Sequence, residues 1–203
     1  MTIAPGTTAF YDAWAVSGEE SPRSAMSRHF EPAFAPGARV LDVGCGKGRD
    51  VVALLDMGLA AWGVEPNDAM RAHAVARDPR MQGRVAAAAL PELGQPFGGG
   101  FDGVVCSAVL MHLTADALPA SMSALAAVLR PQARILMALP EMPPALLADG
   151  RDPDGRAFVN HAPDRVQELL AAFGFALHRR EDIPTPSTDT RWRVLLFERE
   201  AKA

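Results

Sequence analysis

The chain has 203 residues, of which 49% are hydrophobic and 22% are charged. This length is enough for one hydrophobic core and short for two, so we predict a single domain over residues 1–203. The apolar fraction excludes a mostly disordered chain. The formal net charge is −4 and no long basic run occurs, which argues against a nucleic-acid partner and against an electrostatic membrane anchor.

The numbers and positions of cysteine and lysine residues indicate the cellular location of the protein and the kind of organism that it comes from. Cys45 and Cys106 lie far apart without the spacing of a zinc site or a disulfide scaffold, so we expect no metal and a cytoplasmic location. No stretch reaches the roughly 20 apolar residues of a membrane helix, and the first residues lack a signal-peptide pattern. Only Lys47 and Lys202 are lysines against many arginines, which, with abundant alanine, favours a bacterial source.

The first 37 residues differ in pattern from the rest of the chain. They are polar and are interrupted by Pro5, Pro22, Pro32 and Pro36. Aromatic and apolar side chains between these prolines fit short amphipathic helices. We therefore predict that residues 1–37 form a helical cap on the domain that follows.

From residue 38 onward, short apolar runs alternate with helical patterns. We predict strands at 39–43, 61–65, 84–89, 101–108 and 134–139, and helices at 48–57, 67–77, 114–129 and from 163 to about 173. Asn67 and Thr114 are the expected caps of two of these helices. Two further strands, at about 176–181 and 192–199, are joined by a short loop.

This alternation predicts an α/β fold with a Rossmann-like, doubly wound sheet of seven strands. Strands joined through helices form right-handed parallel crossovers, which place helices on both faces of the sheet. The last two strands have no helix between them and should be antiparallel to each other, so one strand is reversed near an edge. Ligands of such sheets bind at the carboxyl ends of the strands, where the strand order reverses.

A glycine-rich turn follows the first strand, in the sequence VLDVGCGKGRD of residues 40–50. Glycines there permit a tight turn and let backbone N–H groups approach a ligand closely. A P-loop requires Ser or Thr after its lysine, but Gly48 follows Lys47. A dinucleotide motif requires G-x-G-x-x-G, but the third glycine comes one residue early. The third interpretation is a nucleoside site whose loop holds an amino-acid moiety.

The segment Asp42-Val-Gly-Cys-Gly-Lys-Gly48 resembles the first motif of the class I S-adenosylmethionine-dependent methyltransferases. Later motifs of that family have counterparts in the same order: Gly63-Val-Glu65-Pro-Asn67, residues 101–107 with 109–113, residues 129–135, and residues 169–175. The resemblance covers about residues 37–199. It implies S-adenosylmethionine as cofactor and S-adenosylhomocysteine as product, with a cofactor-binding half at 38–139 and an insertion with the substrate-side half at 140–203.

The resemblance also implies which residues contact the cofactor. Glu65, at a strand end, would accept hydrogen bonds from both ribose hydroxyls; the alternative is a solvated strand-end charge. Asp42 would support the glycine loop near the sulfonium. This sequence has Ala86 near where family members often carry an acid for the adenine, so we expect the backbone of Ala87 to serve. The expected contacts are Asp42, Gly44, Cys45, Gly46, Gly48, Glu65, Pro66, Asn67, Ala87, Leu90, Ser107 and Ala108.

Candidates for catalysis are fewer. His112 could act as a base or could only shape the pocket, and Tyr11 could cover the site from the cap or merely anchor it. Lys47 is expected to be solvated. Specificity should lie in the cap and in the insertion at 140–162, where the turn-rich residues 150–156 form either a mobile lid or a plain surface loop.

The implied reaction is an in-line methyl transfer to a small-molecule acceptor, by a monomer or homodimer. The loop after the fourth strand reads Cys106-Ser-Ala-Val109 and departs from the [DN]-P-P-[FY] pattern of enzymes that methylate nucleobase or planar amide nitrogens. No carboxylate cluster indicates a magnesium-dependent enzyme. Two alternatives stay open: a non-catalytic S-adenosylmethionine-binding regulatory protein and a nicotinamide-dependent oxidoreductase.

Overall fold

A computed structural model describes residues 4–17, 26–185 and 189–200. Parts of the predicted N-terminal cap, including Pro22, lie outside these residues. The helices are α1 (Pro5–Val16), α2 (Phe30–Ala33), α3 (Arg49–Asp56), α4 (Asp68–Arg77), α5 (Leu118–Ala127) and α6 (Pro163–Ala171). The strands are β1 (Arg39–Val43), β2 (Ala60–Val64), β3 (Val85–Ala86), β4 (Phe101–Ser107), β5 (Leu129–Glu141), β6 (Phe175–Thr185) and β7 (Thr190–Arg199).

Within the described residues, seven strands form one sheet in the order β3-β2-β1-β4-β5-β7-β6. The first five strands are parallel, and β7 lies antiparallel between β5 and β6. The predicted doubly wound α/β class with one reversed strand is therefore confirmed. The chain runs outward from β1 through β2 to β3 and then returns to β4, so the carboxyl ends of β1 and β4 flank the switch point.

Most predicted elements are present, with shifted bounds. Asn67 caps α4 as expected, because its Oδ1 accepts a hydrogen bond from the Met70 amide at 2.9 Å. The predicted cap at Thr114 is wrong. Its side chain makes no capping hydrogen bond, and a short 3₁₀ turn at Ala115–Ala117 follows it. The α-helix begins only at Leu118, where Pro119 supplies a φ suited to the first turn.

Two hydrophobic layers cover the two faces of the sheet. On one face, Met122 of α5 and Val166 of α6 are completely buried. On the other face, Phe30 of α2 and Leu54 of α3 are completely buried. Each such side chain contributes about 1.5–3 kcal/mol through removal of apolar surface from water. These layers fix the positions of the loops at the carboxyl ends of the strands, because those loops connect buried strands to packed helices.

The insertion after β5 folds back onto the first helix. It contains a short turn at Pro144–Leu146 and backbone bridges that join Arg151 to Ala148 and Ala157. The Ala157 amide donates a hydrogen bond to Thr7 Oγ1 at 2.8 Å. The insertion and α1 are thus tied together above the carboxyl edge of the sheet. No helix in the described ranges has both the length and the apolar character needed to cross a membrane.

Candidate active site

A cavity of about 920 Å³ opens at the carboxyl edge of the sheet, at the switch point between β1 and β4. This volume is near the upper end for small-molecule sites. Its walls come from α1, the loops after β1, β2 and β4, the segment after β3, and the paired ends of β5, β6 and β7. They include Thr7, Tyr11, Trp14, Asp42, Gly44, Gly46, Lys47, Glu65, Asn67, Ala88, Leu90, Ser107, His112, Arg156 and Trp192.

The glycine loop after β1 forms one wall of the cavity. Gly44 has a φ of 74°, and a Cβ atom there would lie 2.5 Å from Val109 Cγ2, so a larger residue cannot fit. The amides of Gly44 and Cys45 donate hydrogen bonds to the Val64 carbonyl, which joins the loop to the end of β2. The loop is therefore held in place before any ligand arrives.

Glu65, directly after β2, is nearly buried and is fixed at both of its oxygens. Oε2 accepts a hydrogen bond from the Gly46 amide at 3.1 Å, and Oε1 accepts one from the Asn67 amide at 2.9 Å. Burial raises the pKa of this carboxyl group, and the two amide hydrogen bonds oppose that rise. Each oxygen keeps further acceptor capacity toward the cavity.

A second acidic group lies deeper in the cavity wall. Asp42, in β1, is 3% exposed, and its burial and the neighbouring charge of Asp50 raise its pKa well above the usual range. Asp50 is itself nearly buried and receives two hydrogen bonds from the Arg49 guanidinium, at 2.9 and 3.2 Å. The wall beside the glycine loop therefore carries the carboxyl groups of Asp42 and Asp50 next to the basic side chains of Lys47 and Arg49.

Tyr11 and His112 are in direct contact, although 101 residues separate them in the chain. The Tyr11 hydroxyl lies 2.9 Å from His112 Nε2, and His112 Nδ1 lies 2.8 Å from the Ala157 carbonyl oxygen. A carbonyl only accepts, so Nδ1 carries the proton of the neutral ring and Nε2 accepts from Tyr11. Burial lowers the pKa of His112 and raises that of Tyr11, so both groups are neutral near pH 7.

A methyltransferase-domain family model matches residues 19–180, well over half of the chain. This chain belongs to the methyltransferase-domain family. A search of curated protein sequences gave no significant match.

Solved structures of other methyltransferase-fold proteins superpose on this methyltransferase-domain protein. The 1,6-didemethyltoxoflavin-N1-methyltransferase of Burkholderia thailandensis, crystallised with its namesake substrate and S-adenosylhomocysteine, is 23% identical, with a TM-score of 0.72 over 95% of this chain and 84% of that one. The magnesium protoporphyrin IX methyltransferase of Synechocystis PCC 6803, with bound S-adenosylmethionine, is 18% identical, with a TM-score of 0.69 over 98% and 100%. A [4+2]-cyclase is 17% identical, with a TM-score of 0.68 over 97% and 94%. At these identities the matches establish the fold, and the cyclase shows that the fold hosts more than one chemistry.

Most residues named from the sequence of this methyltransferase-domain protein lie in the cavity wall. The structure brings together Tyr11, Asp42, Gly44, Cys45, Gly46, Glu65, Pro66, Asn67, Leu90, Ser107, Ala108 and His112. Cys45 contributes mainly backbone, since its thiol packs where Gly63 leaves room for it. Burial raises the pKa of that thiol well above its usual range, so it is unreactive.

Two expected cofactor contacts lie outside the wall. Ala87 is exposed and does not line the cavity, whereas the next residues, Ala88 and Ala89, do. The strand before it has only two residues, so the sequence pattern could not fix which residue faces inward. Gly48 is buried away from the cavity. A Cβ there would lie 2.6 Å from Met81 Cε and 3.1 Å from Ala74 Cβ, so this glycine serves close packing against α4 and the turn after it.

The expectation that Lys47 is solvated is wrong. It is 3% exposed, and its ammonium lies 4.6 Å from the centre of the Trp14 ring, within cation–π range. The sequence places Lys47 at the tip of a glycine loop, which favours exposure. The covering ring comes from α1, and no local pattern around residue 47 indicates this contact.

Several wall residues were not identified from the sequence. Trp192, Ile183 and Val194 line the end of the cavity beyond β5, because β7 inserts between β5 and β6. Trp192 and Val194 lie in the predicted last strand and Ile183 lies beyond the predicted strand at about 176–181, but the insertion of β7 decides that all three reach the carboxyl edge. Arg156 was seen only as part of a turn-rich loop, and its approach to α1 depends on how the insertion folds back.

Proposed function

We propose that this protein transfers a methyl group from S-adenosylmethionine to a small-molecule acceptor. The observation that carries the proposal is the way in which hydrogen bonds fix the Glu65 carboxylate. Its two oxygens are held by amides of the glycine loop and of the turn after β2, at the switch point where nucleosides bind in doubly wound sheets. The family membership and the cavity volume support the same conclusion.

The donor set of the cavity fits a nucleoside with a charged amino-acid tail. In this proposal Glu65 accepts from the ribose hydroxyls, and Ala88, Ala89 and Leu90 form the apolar seat for adenine. The glycine loop, with Asp42 beside it, faces the amino-acid tail, where a carboxylate stabilises an ammonium or sulfonium charge. Pro66, Asn67, Ser107 and Ala108 complete the seat. S-adenosylmethionine supplies a methyl group already activated by its positive sulfur.

The cavity has room beyond this seat for an acceptor. Its far end is walled by apolar side chains of the paired strands β5, β6 and β7, including Ala138, Ile183 and Trp192. Tyr11 and His112 line the same cavity from α1 and from the loop after β4. We infer that the acceptor lies between this apolar end and the Tyr11–His112 pair, where α1 and the insertion limit access of water.

Tyr11 and His112 are the proposed catalytic residues. His112 is neutral and presents the lone pair of Nε2 to the Tyr11 hydroxyl, because the Ala157 carbonyl holds the other ring nitrogen in its protonated form. An acceptor O–H or N–H placed against Tyr11 can pass its proton to the phenol oxygen while the phenol proton moves to Nε2. General-base assistance of this kind contributes typically about 10²–10⁴-fold in rate.

The test of the proposed activity is an acceptor screen. The purified protein is incubated with methyl-labelled S-adenosylmethionine and a panel of small hydroxylated and N-heterocyclic compounds, and label transfer and S-adenosylhomocysteine release are measured. Transfer that requires both the protein and one acceptor class supports the proposal. Tight S-adenosylhomocysteine binding without transfer to any acceptor would favour a non-catalytic binding protein.

A further inference from the structure

Arg156 and Ala157 of the insertion lie beside the Tyr11–His112 pair. The Ala157 carbonyl accepts the hydrogen bond from His112 Nδ1, and the Ala157 amide donates to Thr7 on α1, each at 2.8 Å. Arg156, the preceding residue, lines the cavity with Tyr11. Its guanidinium carbon lies 4.4 Å from the ring centre of Phe10, the residue before Tyr11. The turn-rich segment is therefore more than a plain surface loop, because its last residue, Arg156, belongs to the cavity wall.

Arg156 is held in one orientation by a buried carboxylate. Its Nε donates to Asp152 Oδ2 at 2.6 Å, and its own amide donates to Asp152 Oδ1 at 2.9 Å. The Asp154 amide also donates to Oδ1, at 3.0 Å. The Asp152 side chain has no exposed surface. The guanidinium is thus fixed by the fold of the insertion, so its position relative to α1 is set in advance.

The Tyr11 hydroxyl lies in a field of four ionisable groups. Burial is the main cause of its raised pKa, and the carboxylates Glu65 and Asp152 act in the same direction. Arg156 opposes them through its positive charge. His112, the fourth group, accepts a hydrogen bond from the hydroxyl through Nε2. Arg156 is the cation in this set: its charge favours negative charge on the phenol oxygen and also lowers the pKa of His112.

We propose that Arg156, fixed in the cavity wall beside Tyr11, is a positioning residue of the methyl transfer, which stabilises negative charge on the Tyr11 oxygen while Tyr11 relays a proton to His112. This rests on the proposed function above. In the step, the acceptor proton moves to the Tyr11 oxygen and the Tyr11 proton moves to His112 Nε2. The electron pair of the acceptor's broken bond to hydrogen stays on the acceptor atom, which forms the bond to the methyl carbon. The carbon–sulfur pair leaves with sulfur.

The chain offers a direct readout, because Tyr11 is its only tyrosine. Biosynthetic replacement of tyrosine by 3-fluorotyrosine lowers the intrinsic phenol pKa and gives one ¹⁹F resonance, whose pH titration measures ionisation at this position alone. Tyr11→Phe, which removes the resonance, confirms the assignment. The readout needs neither the cofactor nor an acceptor.

The variants separate a specific effect of Arg156 from a general change of charge. Arg156→Gln removes the cation and is expected to raise the pKa of the fluorophenol by about one unit or more, because the phenolate loses a nearby positive charge. Arg151→Gln is the matched control, since Arg151 lies on the same insertion and donates to the Gly155 carbonyl. It removes the same charge and should leave the titration within a few tenths of a unit of the parent.

An unchanged titration in Arg156→Gln, or an equal shift in both variants, contradicts the proposal. Should Arg156→Gln fail to fold by circular dichroism, Arg156→Lys carries the test. A lysine keeps the positive charge but lacks the guanidinium geometry by which Asp152 fixes Arg156, so a smaller rise in the pKa is expected, and no rise contradicts the proposal. Calorimetry with S-adenosylhomocysteine on the unlabelled parent protein tests the proposed function separately: lack of binding there overturns the methyltransferase assignment, whatever the fluorine titration shows.

Discussion

The ammonium of Lys47 lies under the indole ring of Trp14, 4.6 Å from its centre, although the two residues belong to the glycine loop and to the first helix. This contact joins the cap to the proposed cofactor seat. Asp12 on the same helix makes a second link, since it accepts a hydrogen bond from Asn67 Nδ2 at 2.6 Å. The helix α1 is therefore anchored to the loops after both β1 and β2.

The first expectation concerns the buried cation itself. Lys47 lines the cavity beside the glycine loop, where the proposed ligand carries an α-carboxylate. Lys47→Met keeps the aliphatic stem and removes the charge, so we expect S-adenosylhomocysteine to bind about 10-fold or more weakly, as for loss of a charge-assisted contact. Lys47→Arg should recover part of the affinity. Calorimetry measures both, and unchanged binding in Lys47→Met would remove Lys47 from the cofactor seat.

Glu65→Ala should weaken S-adenosylhomocysteine binding by roughly 1–3 kcal/mol, because buried hydrogen bonds to a charged group are lost. The control is Glu168→Ala on α6, whose side chain is 69% exposed. This control loses the same charge at a distant surface position and should bind as the parent does. Equal affinities for Glu65→Ala and the parent would defeat the ribose assignment.

The buried carboxyl group of Asp42 should lower the free energy of unfolding near neutral pH. Burial raises its pKa in the folded protein, so between its unfolded and folded pKa values the folded state binds more protons, and stability falls as the pH rises through that window. Asp42→Asn removes the ionisable group and is expected to raise the urea midpoint at pH 7. At about pH 3 or below, the acid is largely protonated in both states, and the gain should shrink. A gain that is the same at both pH values would contradict this account.

His112→Ala should leave S-adenosylhomocysteine binding nearly intact and reduce methyl transfer by about 10²-fold or more, once an acceptor is known. Burial lowers the pKa of His112. The parent enzyme should therefore keep its full rate at pH values somewhat below the ordinary histidine pKa, and should lose rate only when the pH falls through the lowered pKa of His112. Tyr11→Phe should give a similar loss of rate. A His112→Ala rate equal to that of the parent shows that His112 is not the base.

The sequence predicted the parts of the site that depend on local pattern. The bounds of β1 coincide with the prediction, since an apolar run that ends in glycines leaves few alternatives. The cap at Asn67 was predictable because it needs only local residues: the Asn67 side-chain oxygen accepts from the amide three residues later. The order of motifs was enough for the fold class and for the position of Glu65.

The remaining features depend on contacts between distant segments. Ala88 faces the cavity and Ala87 does not. The preceding strand β3 has only two residues, which is too short to show the alternation of inward and outward side chains from which the inward residue could be predicted. The burial of Lys47 depends on a ring 33 positions earlier in the chain. Tyr11 and His112 were named separately, but the sequence does not show their direct contact, nor that the Ala157 carbonyl orients His112 when the insertion folds back on α1.

The central claim is that the seat at Glu65 takes S-adenosylmethionine, and calorimetric titration of the purified protein with S-adenosylhomocysteine tests it most directly. Parallel titration with NADH controls for a dinucleotide site. We expect saturable binding of S-adenosylhomocysteine in the micromolar range and none of NADH. Binding of NADH with no binding of S-adenosylhomocysteine would contradict the account and indicate an oxidoreductase.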